Sequence, residues 1–267
     1  MTAPETGWAL ALFRKSVLKQ AKLDQVLRLL EDPAGKSNLD IGGDNGVISY
    51  LLRQRGGRWA SADLDEATVA AIRQLVGTDV YRLDGPRTPF ADQTFDQIVI
   101  VDYLEHIEDD QGFGRELARI LKPQGTLIVN VPHVLAGSPL VRFRHRIGLT
   151  DAWHGHLRPG YTVASLEEVL GPAFRIERSV AYSRFGSELV DTLLNGAFEL
   201  IRRRQGRHGA PTGTGKGSVV TGSDVRRYRT QFRVLALLYP ALRLLASLDR
   251  LLPWHPGHKL IVRATRR

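Results

Sequence analysis

The stretch Leu39-Asp40-Ile41-Gly42-Gly43-Asp44-Asn45-Gly46 decides how this chain is read. A short apolar run enters a glycine-rich turn, and the turn opens on the helical pattern of Val47 to Arg55. Glycine lets such a turn tighten and lets the backbone approach a ligand at the start of a helix. Taken alone, the glycines also suit a plain strand-to-helix turn, with Asp40 as a cap. The next apolar run, Trp59-Ala60-Ser61-Ala62-Asp63, weighs against that plainer reading. It ends in a carboxylate 17 residues beyond Gly46, where a strand tip can present it to ribose hydroxyls.

The same rhythm runs outward from this point. Ala67 to Val76 reads as a helix, Val80–Leu83 and Gln97–Val101 as strands, Asp110 to Leu121 as a helix and Thr126–Val131 as a strand. A helix over Val163 to Leu170 leads into a strand at Phe174–Tyr182, and Lys259–Thr265 is the last strand. Strands this uniformly apolar, separated by helices, belong to a parallel sheet covered on both faces, an α/β fold. Upstream, residues 7–31 read as one amphipathic helix ended by Asp32-Pro33. The chain thus divides into an N-terminal helix (1–34), a core (35–182), an insert (183–258) and a last core strand (259–267). The insert holds a helix from Ser187 to Arg204, a glycine-rich stretch at 205–223 with a mobile loop's composition, and a helix from Asp224 to Leu252 kinked at Pro240.

Further motifs follow in order: Asp84-Gly85, then Pro89-Phe90-Ala91-Asp92-Gln93-Thr94-Phe95-Asp96, then Leu104-Glu105-His106-Ile107, then Leu121-Lys122-Pro123-Gln124-Gly125-Thr126-Leu127. With the glycine turn and Asp63, they make residues 35–182 resemble the class I S-adenosylmethionine-dependent methyltransferases, in the small-molecule, methyltransferase domain 11-like group. The resemblance implies a Rossmann-like, doubly wound, mostly parallel seven-stranded sheet, with an antiparallel last strand and a helical insert before it. It also implies an enzyme that takes S-adenosyl-L-methionine as cofactor. Asp40 and Gly42, in the turn with Gly43, Asp44 and Gly46, would line the methionine portion. Asp63, beside Leu64, would hold the ribose, and Asp84 with Gly85 would meet the adenine. Asp102 and Tyr103 would face the methyl group or the substrate. Asp44 departs from the family, which often has glycine there; it either shifts the cofactor slightly or binds the methionine amino group.

A sulfonium already activates its methyl group, so the protein has to align donor and acceptor, exclude water and, for an oxygen or nitrogen acceptor, remove a proton. The candidate catalytic residues are His106, His133, His154, His156 and Tyr103. His106 reads equally as a structural histidine, and His154 and His156 as anchors of a turn. Two histidines flanking Gly155 invite a metal, but the sequence shows no third ligand, so none is expected. Gly213-Thr214-Gly215-Lys216-Gly217-Ser218 imitates a phosphate loop. Ala210 stands where that motif needs its first glycine and Gly217 where it needs Ser or Thr, so the reading fails.

Charge separates the two ends of the chain. Residues 1–183 carry 21 Lys and Arg against 23 Asp and Glu, whereas 184–267 carry 16 against 5. The tail's leucines from Val234 to Leu252 are interrupted by Arg243 and Arg250 and followed by Trp254, a composition suited to a membrane interface. The expected acceptor is therefore a small or lipid-linked amphiphilic molecule, methylated by in-line displacement at an anionic membrane surface. A dimer contact or simple packing on the core would use the same leucines. Two other readings stand: an RNA methyltransferase gripping phosphates with the basic tail, and a cofactor-binding protein without catalysis. Nucleic acid is disfavoured because the tail interleaves charge with leucine rather than with stacking aromatics. The absence of cysteine excludes disulfides, thiolate zinc sites and cysteine nucleophiles. With no signal peptide read at Trp8 to Leu12 and no apolar run of about 18 residues, the expected location is cytoplasmic, peripheral on the inner face of the membrane. The oligomeric state is not legible.

Overall fold

A computed structural model describes residues 3–43, 45–135, 137–204, 229–252 and 254–267 of the chain. It begins with two helices, α1 (Ala3–Phe13) and α2 (Val17–Leu29), where the sequence pattern suggested one from 7 to 31. The break is local: Ser16 has extended backbone and its side chain accepts from the amide of Lys19, capping α2 afresh. The core then alternates β1 (Ser37–Ile41), α3 (Val47–Arg53), β2 (Arg58–Asp63), α4 (Glu66–Val76), β3 (Val80–Arg82), β4 (Phe95–Val101), α5 (Asp110–Ile120) and β5 (Leu121–Pro132). After it come α6 (Pro139–Arg146), α7 (Val163–Leu170), β6 (Phe174–Tyr182), α8 (Phe185–Arg204), α9 (Arg229–Ser247) and β7 (Lys259–Arg266).

The seven strands form one sheet in the order β3-β2-β1-β4-β5-β7-β6. The first five are parallel, and β7 runs antiparallel to both neighbours. This is the doubly wound, Rossmann-like arrangement expected. Strand β4 explains its own apolar run: Ile98 and Ile100 face α5 and α7, while Val99 and Val101 face α2 and α3, and all four are fully buried. Strand order reverses between β1 and β4, which opens a crevice at their carboxyl ends.

Specific bonds hold the insert together and tie it to α2. Asp249 caps α8 by accepting from the amides of Arg184 (2.8 Å) and Gly186 (2.7 Å). Helix α9, which runs through Pro240, meets α2 where Gln20 donates to the Tyr239 hydroxyl at 3.2 Å and Lys15 sits over the Tyr239 ring. The glycine-rich stretch and its rejected phosphate-loop motif lie outside the described residues, as does Asp44.

Candidate active site

The turn after β1 is built on contacts that exclude side chains. Gly42 has φ +77°, and a Cβ there would lie 2.1 Å from the Val101 carbonyl oxygen and 3.2 Å from Cβ of Tyr103. Its amide donates to the carbonyl of Ala62 at 3.1 Å, wedging the turn between the tips of β2 and β4. A Cβ on Gly43 would lie 2.2 Å from Ser49 Oγ, and one on Gly46 (φ +83°) 2.8 Å from Cα of Ile72. The last two glycines therefore seat α3 and α4, while Gly42 shapes the crevice.

Asp40 is buried beneath this turn. Its carboxylate accepts from Ser49 and from Ser61 (2.7 Å) and pairs with Arg53 at 3.3 Å. Burial pushes its carboxyl up from the ordinary range, while Arg53 and the two hydroxyls pull the other way. The side chain that the resemblance aimed at methionine thus ties together β1, α3 and β2.

Asp63 ends β2 half-buried and accepts from the Asp65 amide at 3.2 Å. Across from it stands Tyr103, 2% exposed, with its ring 5.1 Å from that of Phe113. The Tyr103 hydroxyl is buried and meets no hydrogen-bond partner among the described residues. Burial, and then the charge of Asp63, push its phenol well above the ordinary range. Leu64 is half-buried against the core. Asp84 and Gly85 are exposed beyond β3, and Gly85 (φ +90°) has open space where a Cβ would stand.

Asp102 takes a different direction from Tyr103. It holds φ +45°, and its carboxylate pairs with Lys22 of α2, accepts from Asn130 at 2.9 Å and lies 3.7 Å from Nζ of Lys259. Tyr182 donates to the same Asn130 at 2.5 Å. This charged group therefore faces α2 and β7, on the opposite side of β4 from the Tyr103–Phe113 contact.

The histidines divide into two groups. His133, just past β5, shares a hydrogen bond between Nδ1 and the Gly257 carbonyl at 2.8 Å. Beside it is His258, absent from the sequence-derived candidates. His258 is 7% exposed, its Nε2 has no hydrogen-bond partner among the described residues, and burial, then Arg144, push its pKa down to about 4. Ser183 Oγ, next to it, is likewise buried without a partner. The second group gathers where the loop after α6 meets the turn after β4. His106 Nδ1 bonds the Gly155 carbonyl at 2.8 Å, His156 Nε2 lies 4.0 Å from Glu105 Oε1, and His154 Nε2 accepts from Arg144 at 3.1 Å. The His154 ring stacks on that of His156, centroids 5.3 Å apart, but Arg144 occupies its Nε2, and it is Glu105 and His106 whose ligand atoms gather with that of His156. A separate cleft, lined by Gln124, Arg175, Thr265, Arg266 and Arg267, sits at the opposite end of the sheet.

A crevice at a switch point, a glycine turn with no room for side chains, and a strand-tip carboxylate facing a buried hydroxyl form an arrangement suited to a nucleoside. The sequence over residues 39–129 matches the methyltransferase domain model. The chain carries a class I S-adenosylmethionine-dependent methyltransferase domain. This domain is 30% identical over 105 residues to a demethylmenaquinone methyltransferase of Tropheryma whipplei, covering 38% of this chain and 44% of that protein. It is 31% identical over 96 residues to a ubiquinone biosynthesis O-methyltransferase of Parvibaculum lavamentivorans, covering 34% and 38%. The matches span less than half the length of either relative. In fold, the chain is similar to an S-adenosylmethionine-dependent methyltransferase from Mesorhizobium loti, with TM-score 0.57, 15% identity and coverage of 92% of this chain and 98% of that one.

Proposed function

We propose that this protein transfers the methyl group of S-adenosyl-L-methionine to a small or lipid-linked amphiphilic acceptor by in-line displacement. The observation that carries the cofactor assignment is the buried Tyr103 hydroxyl, without a protein partner, beside Asp63 and the Gly42 turn. An orphaned buried hydroxyl costs about 1–3 kcal/mol, a penalty that a polar ligand in the crevice relieves. Asp63 holds the ribose, Gly42 admits the backbone of the turn to the ligand, and Asp84 and Gly85 flank the adenine. Asp40 is a positioning residue that fixes the turn through Ser49, Ser61 and Arg53. Bound S-adenosylmethionine supplies an electrophilic methyl group.

The acceptor proton passes to a histidine at the β5 and β7 ends, where His133 and His258 adjoin. His258, pushed down to about 4, is a weak base at pH 7, whereas the bond from His133 Nδ1 to the Gly257 carbonyl leaves the lone pair of the neutral His133 ring on Nε2 to take that proton. The quinone enzymes among the relatives favour an acceptor with apolar character, and the apolar surface of α8 and α9 supports the same class. RNA is the competing acceptor, suggested by the basic tail.

Calorimetry of S-adenosylmethionine binding, paired with labelled-methyl transfer into lipid, polysaccharide and RNA fractions, tests the reading. Label is expected in the lipid fraction; label in RNA alone would favour the competing acceptor. Asp63→Ala is expected to weaken cofactor binding at least about tenfold, as loss of a charge-assisted hydrogen-bond pair does. Unchanged affinity would remove Asp63 from the site.

A further inference from the structure

The ligand atoms of Glu105, His106 and His156 lie within 4.8 Å of one another. Glu105 and His106 sit on the one-turn helix Leu104–His106 directly after β4, and His156 on the loop that folds over it. That loop is firmly seated. The Leu157 amide donates to the Glu105 carbonyl at 2.8 Å, Arg158 pairs with Asp110, and the Tyr161 hydroxyl bonds the Leu104 carbonyl and Asp110, each at 3.0 Å.

From this geometry we propose a binding site for a divalent first-row transition ion, zinc in the first instance, held by Glu105, His106 and His156. Two imidazoles and a carboxylate are a recurrent ligand set for such ions and leave at least one position for water or an acceptor oxygen. His106 is already oriented for ligation. A backbone carbonyl can only accept, so the bond to Gly155 places the proton on Nδ1 and the lone pair of the neutral ring on Nε2. Glu105 has no solvent exposure, and an ionised carboxylate there is stabilised most strongly by a cation at contact distance. His156 Nε2, at 4.0 Å from Glu105 Oε1, stands beyond hydrogen-bond reach of that oxygen. Zinc bonds of about 2.1 Å place tetrahedral ligand atoms roughly 3.4 Å apart, so the cluster needs to contract by about 1 Å or slightly more to close on the ion. The bond from Arg144 keeps His154 outside the set.

The test uses the full chain purified without a polyhistidine tag, stripped with chelator and titrated with zinc against a chromophoric competitor. One equivalent of zinc is expected. His156→Ala and His106→Ala should each weaken it about a hundredfold, at least matching the loss of an outer-shell partner. His258→Ala should leave it unchanged, and cobalt should give ligand-field bands that disappear in His156→Ala. Retained S-adenosylmethionine binding would show that the variants remain folded, and the zinc measurement does not depend on methyl transfer. Absence of stoichiometric zinc would overturn the proposal and leave Glu105 and His156 as an ion pair only. So would loss on His258→Ala in place of His156→Ala, which would move the ion to the other histidine group.

Discussion

At Gly42 the two requirements on a residue can be separated by experiment, because Gly85 has one of them without the other. Both have positive φ, but a Cβ on Gly42 would collide with the Val101 carbonyl, a strand backbone that cannot move aside, whereas one on Gly85 would meet open space. Left-handed backbone costs a non-glycine residue roughly 1–2 kcal/mol. Gly85→Ala is therefore expected to lower unfolding free energy by about 1 kcal/mol. Gly42→Ala should lose about 3 kcal/mol or more, since strain and overpacking combine. Equal losses in denaturant titrations would show that the Val101 contact is not a constraint. Sequence made the glycines visible but not this distinction, which depends on what β4 brings alongside. Asp40 illustrates the same limit: its place beside the turn was legible, but the direction of its carboxylate depended on Ser49, Ser61 and Arg53 arriving from other elements.

Between elements, the loop after β3 is fixed to α5 by Glu116 and by Arg119, which bonds the Phe90 carbonyl at 2.7 Å and pairs with Asp92. Glu116 accepts from both the amide and the hydroxyl of Thr88 at 2.7 Å and pairs with Arg119. Burial opposes its ionisation, but these bonds prevail and hold its pKa down to about 2. Because the folded pKa is depressed, the resulting stability is fully present above the ordinary value near 4.5 and is lost as pH falls toward 2. Allowing for the partial exposure of Arg119, its contribution is about 2 kcal/mol. Glu116→Gln should remove that amount at pH 7 and flatten the decline in stability between pH 4.5 and about 2. An unchanged acid-unfolding curve would reject the assignment. The strands and helices of the core were legible because burial on both faces writes apolar runs directly into sequence, as in Ile98 to Val101. The break at Ser16 was not, since the residues on either side continue a helical pattern. Asp102 was legible as a strand-end carboxylate, but Lys22 and Lys259, far off in sequence, determine where it points. Glu105 and His258 were hidden for the same reason: their meaning comes from His156, His133 and Ser183 across loops.

Across the whole molecule, charge and apolar exposure coincide on the insert. The first 183 residues are nearly balanced in charge, whereas the remaining 84 carry 16 basic against 5 acidic residues. Leu237, Leu244, Leu251 and Trp254 of this part are about 70–80% exposed, among exposed Arg233, Arg243 and Arg250. No helix among the described residues is long and apolar enough to cross a membrane, so any attachment through these helices is interfacial. Each basic side chain near an anionic surface contributes about 1 kcal/mol, and the leucines add burial of apolar area once the helix is seated. The two contributions respond to different perturbations. The full chain is expected to sediment with phosphatidylserine-containing vesicles, less with neutral ones, and less again as salt rises from about 150 to 500 mM. Leu237→Ser, Leu244→Ser and Leu251→Ser together should reduce sedimentation at low salt while leaving S-adenosylmethionine affinity intact, because these side chains project away from the core. If vesicles of either kind fail to retain the protein, the apolar patch must serve a protein contact. In that case light scattering should show the same triple variant dissociating a dimer.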